Sequence, residues 1–245
     1  MNKSNLTLVI GASADIGREV IRQIARPSEI ILAHYHQSEA KLDDLKRASN
    51  AQIVPLQANL ESLESTLALI ARIKTEFGFP TQIIHLAAPP YQLERFKSIS
   101  WVTIQNQFDI QLRSLFHVLQ EFLPSMAAAK SGKVVLLLSS IILGRPPIGT
   151  SAYAITKHAL LGLMHALATE YGGKGININA VSPSMVDTAF LENLPRQVIE
   201  LAASQNPMGR TAQVSEVASV IKFLLSEQAS FLNGVNIPVT GGESY

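Results

Sequence analysis

Leu6-Thr7-Leu8-Val9-Ile10-Gly11-Ala12-Ser13-Ala14-Asp15-Ile16-Gly17-Arg18 reads as a strand, a glycine turn and the start of a helix. The first five residues are apolar or β-branched, as a strand buried on both faces requires. The helical pattern runs from Arg18 to Arg26, where Pro27 stops it. Glycine lets the backbone approach a phosphate closely, and a helix N-terminus offers free N–H groups and a positive dipole end. A plain tight turn has the same composition. The position favours the cradle, because this turn occupies the first strand-to-helix junction, where an open α/β sheet carries its phosphate cradle.

The same alternation continues outward from this stretch. Strands are predicted at Glu29–His34, Gln52–Gln57, Gln82–Leu86, Val134–Leu138, Ile176–Val181 and Val235–Val239. Pro55 argues that the third strand lies at an edge, since proline cannot donate to a ladder. Helices are predicted at Ser38–Ser49 with Ser38 as cap, Glu61–Phe77, Ser100–Leu123 stopped by Pro124, Ser151–Tyr171 and Gln213–Leu225. In the second of these, Leu63, Leu67, Ile70 and Ile73 recur at helical spacing. Ser182–Pro207 reads as irregular. The expected fold is therefore α/β: a single doubly wound Rossmann domain over residues 1–245, with a central parallel sheet of about seven strands. Ligands bind at the carboxyl ends of such strands. Gly11, Tyr35, Asn59, Ala87, Ser140 and Pro183 all fall on that rim.

Composition narrows the function. The 245 residues are 47% hydrophobic and carry a formal net charge of +1, so no strong field recruits nucleic acid or an anionic membrane. There is no cysteine, which excludes thiol and disulfide chemistry and fits a reducing compartment. No apolar stretch reaches the ~20 residues of a membrane span. Met1-Asn2-Lys3-Ser4-Asn5 has no basic-then-apolar leader, and a cytoplasmic protein is expected.

The chemistry concentrates after the fifth strand. Its apolar run ends in Ser139-Ser140, and Tyr153 and Lys157 follow four residues apart, on one helical face. A phenol of pKa ~10 is a weak acid-base group at neutral pH. A neighbouring ammonium favours the phenolate and lowers that pKa. Tyr153 could then exchange a proton with a substrate oxygen held by Ser140. Tyrosine and lysine also meet this way by chance on many helices, so the pair needs the rest of the chain beside it.

With that context the sequence resembles the short-chain dehydrogenase/reductase family over essentially its whole length, and most of all its 3-oxoacyl-(acyl-carrier-protein) reductase branch. The resemblance rests on the Gly11…Asp15-Ile16-Gly17 turn, Ser140, Tyr153…Lys157, Asn179-Ala180-Val181-Ser182-Pro183, Pro207-Met208-Gly209-Arg210, Asn233-Gly234 and Gly241-Gly242. It implies an NAD(P)H-dependent oxidoreductase that reduces a ketone to a secondary alcohol, on a 3-oxoacyl thioester or a polyketide-type substrate. It also implies catalytic roles for Ser140, Tyr153, Lys157 and Gln111. The implied cofactor contacts are Gly11, Ser13, Asp15, Ile16, Gly17, Tyr35, His36, Asn59, Leu60, Leu86, Ala87, Tyr153, Lys157, Pro183, Val186 and Thr188.

Five departures from the family pattern stand out. Asn59 replaces an Asp at the adenine contact. Asp15 replaces the middle glycine, where its carboxylate should repel a pyrophosphate unless it turns outward or caps the helix. His85-Leu86-Ala87-Ala88 replaces Asn-Asn-Ala-Gly, removing a polar support of the sheet centre. Gln111 replaces the Asn of the proton relay, and Pro183-Ser184 replaces Pro-Gly. A catalytically weak dinucleotide-binding protein with a structural or regulatory role is therefore the alternative reading.

The end of the second strand carries Tyr35-His36-Gln37-Ser38 with no acid, so NADP(H) is expected over NAD(H). His34 and His36 share strand parity but have no third ligand nearby, and no metal site is expected. Candidate substrate walls are Pro89, Tyr91, Ile141, Ile142, Pro147, Met185, Phe190 and Leu194, which suit an apolar arm. Lys130, Lys133 and Lys174 are candidate contacts for an acidic carrier protein. A homo-tetramer is expected, because Leu115, Phe116, Leu119, Leu161, Leu163 and Met164 put apolar residues on more than one helical face.

Overall fold

The structure, a computed structural model, describes residues 6–244, so Met1–Asn5 lies outside the described residues. Its strands are β1 (Leu6–Ile10), β2 (Ile30–Tyr35), β3 (Gln52–Gln57), β4 (Gln82–His85), β5 (Gly132–Leu137), β6 (Ile176–Pro183) and β7 (Asn236–Val239). All pair in parallel in one sheet, in the order β3-β2-β1-β4-β5-β6-β7. β3, with its Pro55, is an edge strand. The order reverses between β1 and β4, which opens a crevice at the carboxyl ends of those strands.

Helices cover both faces. They are α1 (Asp15–Ile24), α2 (Asp43–Ala48), α3 (Leu63–Glu76), α4 (Trp101–Phe108), α5 (Ser114–Ala129), α6 (Ser151–Tyr171), α7 (Arg196–Gln205) and α8 (Val214–Leu225). Strand residues alternate between two cores because successive side chains leave a strand on opposite faces. Leu8, Ile83, Val134 and Leu136 pack toward α3, α5 and α6. Val9, Ile84 and Val135 pack toward α1, α2 and α8. Asn179 fastens the last crossover: its amide donates to the Leu232 carbonyl at 2.9 Å and its oxygen accepts from the Val235 N–H at 3.0 Å.

Several local expectations change. Pro124 does not stop its helix; α5 runs through it to Ala129. A proline removes one N–H, whereas Phe122, Leu123 and Met126 stay buried on the sheet and hold the helix together. Before α5, residues Asp109–Arg113 form one π turn. Ser38 makes no side-chain cap bond, and a 3-10 turn at Glu39–Leu42 precedes α2. The buried stripe of α3 is Thr66, Leu69, Ile70 and Ile73, while Leu63 and Leu67 are exposed. The segment read as irregular contains α7. Lys133 is not available to a carrier protein, because it is buried and its ammonium is bonded to the Ser226 carbonyl. Leu115, Leu119 and Met164 are fully buried within the core. Among the described residues no helix is long and apolar enough to cross a membrane.

Candidate active site

A cavity of about 1050 Å³ lies along the carboxyl ends of the strands, lined by Gly11, His36, Asn59, Ala87, Tyr153 and Lys157 among others. Its floor is the glycine turn. Gly11 has φ +86°, and a Cβ there would meet the Ala87 nitrogen at 2.8 Å; a Cβ on Gly17 would meet the Gly11 oxygen at 2.4 Å. Both glycines are therefore demanded by close backbone approach. Among the described residues no side chain caps α1, so its first N–H groups remain available to an anion. The turn is held from below by His34. Its Nδ1 accepts from the Gly11 N–H at 3.1 Å, so Nε2 carries the proton and donates to the Ala58 carbonyl at 3.1 Å. Burial pushes this imidazole down to about 4. His34 is thus an internal brace of the glycine turn.

The reactive end lies where β5 meets α6. Lys157 Nζ stands 5.3 Å from the centre of the Tyr153 ring and donates to the Leu137 carbonyl at 2.8 Å. Tyr91 meets the Tyr153 ring edge-on at 5.1 Å, and Phe190 packs against it at 6.2 Å. Burial dominates both titrations here. It pushes the Tyr153 phenol above its ordinary range and the Lys157 ammonium down to about 7. Desolvation is the largest influence on the phenol, which stays raised here, whereas the sequence led to the expectation that Lys157 lowers it. The Ser139 hydroxyl acts the other way on the phenol, favouring its ionised form. Ser140 lines the same cavity one residue further on. The arrangement can hold a carbonyl oxygen beside a protonated phenol at neutral pH.

A family model described as enoyl-(acyl carrier protein) reductase matches residues 11–244. The chain belongs to the short-chain dehydrogenase/reductase family. Among its relatives in that family, the 3-oxoacyl-(acyl-carrier-protein) reductase FabG of Pseudomonas aeruginosa is 29% identical over 244 residues, covering 98% of this chain and 97% of that one. The reductase of the same name from Staphylococcus aureus is 28% identical, covering 99% of each chain. The crystal structure of levodione reductase superposes with a TM-score of 0.90 at 26% identity, covering 98% and 97%.

Within this family frame the cavity gathers most of the expected positions. Ser13, Asp15, Ile16, Tyr35, Leu60, Leu86, Pro183, Val186 and Thr188 line it with those already named. Gly17 lies behind the lining, packed on Gly11 and Ala12. Gln111 does not line the cavity. It is fully buried in the π turn, its amide donates to Gln107 Oε1, and its own Oε1 has no hydrogen-bond partner among the described residues. The polar support of the sheet centre is not lost, because His85 is buried and hydrogen-bonds to Ser114 Oγ at 3.4 Å. Asp15 neither caps α1 nor turns its bonded oxygen to the cradle; Oδ2 accepts from the Ala189 N–H at 2.9 Å. Of the expected substrate walls, Ile142 and Leu194 fall outside the cavity. Leu143, Arg145, Val198 and Leu201 line it unforeseen, as does Lys41. The only sequence cue to the last was a lysine shortly after the second strand.

Proposed function

We propose that the chain is an NADPH-dependent ketone reductase, working as one catalytic domain over residues 1–245. The observation that carries this reading is the Tyr153–Lys157 pair at 5.3 Å, opening into the same cavity as the uncapped N-terminus of α1. The turn at Gly11, Ser13, Ile16 and Gly17 holds the pyrophosphate. Tyr35, His36, Asn59 and Leu60 take the adenosine end, and Leu86, Ala87, Pro183, Val186 and Thr188 take the nicotinamide end. When bound, the dinucleotide supplies the hydride. The protein's own part is to hold the carbonyl oxygen at Ser139 and Ser140 and to give it the Tyr153 proton. Lys157, anchored on Leu137, balances the negative charge left on the phenol.

Support for NADP(H) comes from the end of β2. Glu39, the next acid along the chain, is engaged by the Tyr35 hydroxyl at 2.6 Å and by Lys46 at 2.7 Å. His36 and Lys41 line the cavity there and suit a 2′-phosphate. The substrate is a ketone with an apolar arm, either a 3-oxoacyl thioester on an acidic carrier or a polyketide-type carbonyl. Its walls are Tyr91, Phe190, Leu143, Val198 and Leu201. The protein acts in the cytoplasm as a homo-tetramer. Trp101, Val102, Phe116 and Ile155, exposed on α4, α5 and α6, supply apolar surface for paired helices.

The test is oxidation of NADPH and of NADH against acyl-thioester and aryl ketones. The reading expects at least one ketone turned over faster with NADPH, and a Lys41→Glu change that shifts the preference toward NADH. It fails if no ketone is reduced above the rate of Tyr153→Phe.

A further inference from the structure

The Asp15–Ala189 hydrogen bond joins two segments that are 174 residues apart, and both line the central cavity. Asp15 is the first residue of α1, in the phosphate turn. Ala189 opens a 3-10 turn at Ala189–Leu191, just after the Val186 and Thr188 wall. The next residue along is Phe190. Its ring packs on Tyr153 and also on Tyr91, at 5.8 Å, and its carbonyl accepts from the Tyr91 N–H at 3.4 Å. The loop is thus fastened at one end to the dinucleotide turn and at the other to the aromatic group over the reacting phenol. A carboxylate is the stronger kind of acceptor for a backbone N–H. A glycine at position 15 could not make this bond.

We infer that Asp15 is a positioning residue for the ketone site. It holds the Ala189–Leu191 turn so that Phe190 forms the wall over Tyr153. In this chain the replacement of a glycine by an acid therefore serves substrate binding rather than dinucleotide binding. The inference rests on the ketone-reductase reading for its kinetic arm but not for its structural arm.

Four variants test it: Asp15→Gly, Asp15→Asn, Ala189→Pro and the double variant Asp15→Gly/Ala189→Pro. Thr188 is extended at φ −149°, ψ 164°, as a residue before proline must be, and the first position of a helical turn accepts proline. Ala189→Pro thus deletes the donor alone. In Asp15→Gly, amide hydrogen exchange across residues 187–192 should quicken about tenfold and ketone KM should rise about tenfold, the size of one charge-assisted hydrogen bond. The NADPH Kd, read by fluorescence, should change less than about fivefold. Asp15→Asn keeps an oxygen acceptor and should restore most of the protection and most of the KM. Ala189→Pro should reproduce the KM rise, and the double variant should be no worse than either single one. Unchanged exchange in Asp15→Gly, additive effects in the double variant, or a loss of NADPH affinity as large as the loss in KM would each overturn the inference. If wild type reduces no ketone, the function proposed above falls, and the exchange and Kd measurements still decide the role of Asp15.

Discussion

At the residue scale, the proposed reduction separates proton chemistry from binding. Tyr153→Phe removes the transferable proton and little else, so turnover should fall ~100- to 10,000-fold with dinucleotide binding nearly unchanged. Isothermal titration beside steady-state kinetics checks both halves, and near-normal turnover would remove Tyr153 from the mechanism. Lys157 offers a pH test. Its ammonium is pushed down to about 7, whereas the phenol stays protonated well above that. Reduction should therefore weaken as pH rises through about 7, when the charge that balances the phenolate is lost. In Lys157→Arg, which stays charged, that limb of the kcat/KM profile should disappear. The Tyr153–Lys157 pair was legible in sequence because four-residue spacing places two side chains on one helical face. That Ser139 lines the cavity together with Ser140 was not, because how two adjacent hydroxyls are placed depends on how the chain leaves β5.

At the scale of elements, the π turn between α4 and α5 decides what Gln111 does. Its amide is committed to Gln107 inside the fold. Gln111→Ala should therefore cost ~1–3 kcal/mol of stability by leaving Gln107 Oε1 without its donor. Turnover per folded molecule should fall less than tenfold. Urea denaturation with kinetics on the same preparation separates the effects, and a hundredfold loss of turnover at unchanged stability would make Gln111 a relay residue after all. The turn itself was not legible because a π turn has no residue signature of its own, and the one-residue phase shift it makes shows only once the packed faces are known. The persistence of α5 past Pro124 escaped for a related reason: the burial of Met126 and its neighbours outweighs a local breaking signal.

For the whole molecule, two buried imidazoles set the response to acid. His34 and His85 are held neutral by burial, down to about 4 and about 3. Their folded values lie below the unfolded value of ~6.5, so stability is complete above that pH. It falls as pH drops toward the folded values, because the unfolded chain takes up protons that the native state refuses. The slope should approach ~1.4 kcal/mol per pH unit for each imidazole. Denaturant unfolding from pH 7 to pH 4.5 measures it, and His85→Asn should flatten it by about half. A pH-independent midpoint would mean that neither imidazole is desolvated. Assembly is tested by sedimentation at micromolar concentration, where a tetramer is expected and a monomer would leave the exposed Trp101 and Val102 unexplained.

Sequence alone determined the alternation of strands and helices, the parallel sheet, the rim of strand-end residues and the Tyr153–Lys157 face. Each of these follows from a period or a turn signal contained within a short window of chain. Tertiary structure alone decided that His34 braces Gly11 and Ala58, that Asp15 reaches Ala189 and that α7 walls the cavity with Val198 and Leu201. It also decided that burial, not the neighbouring ammonium, governs the phenol. These depend on which distant segments meet and on how much water their meeting excludes, and neither quantity is encoded in local spacing.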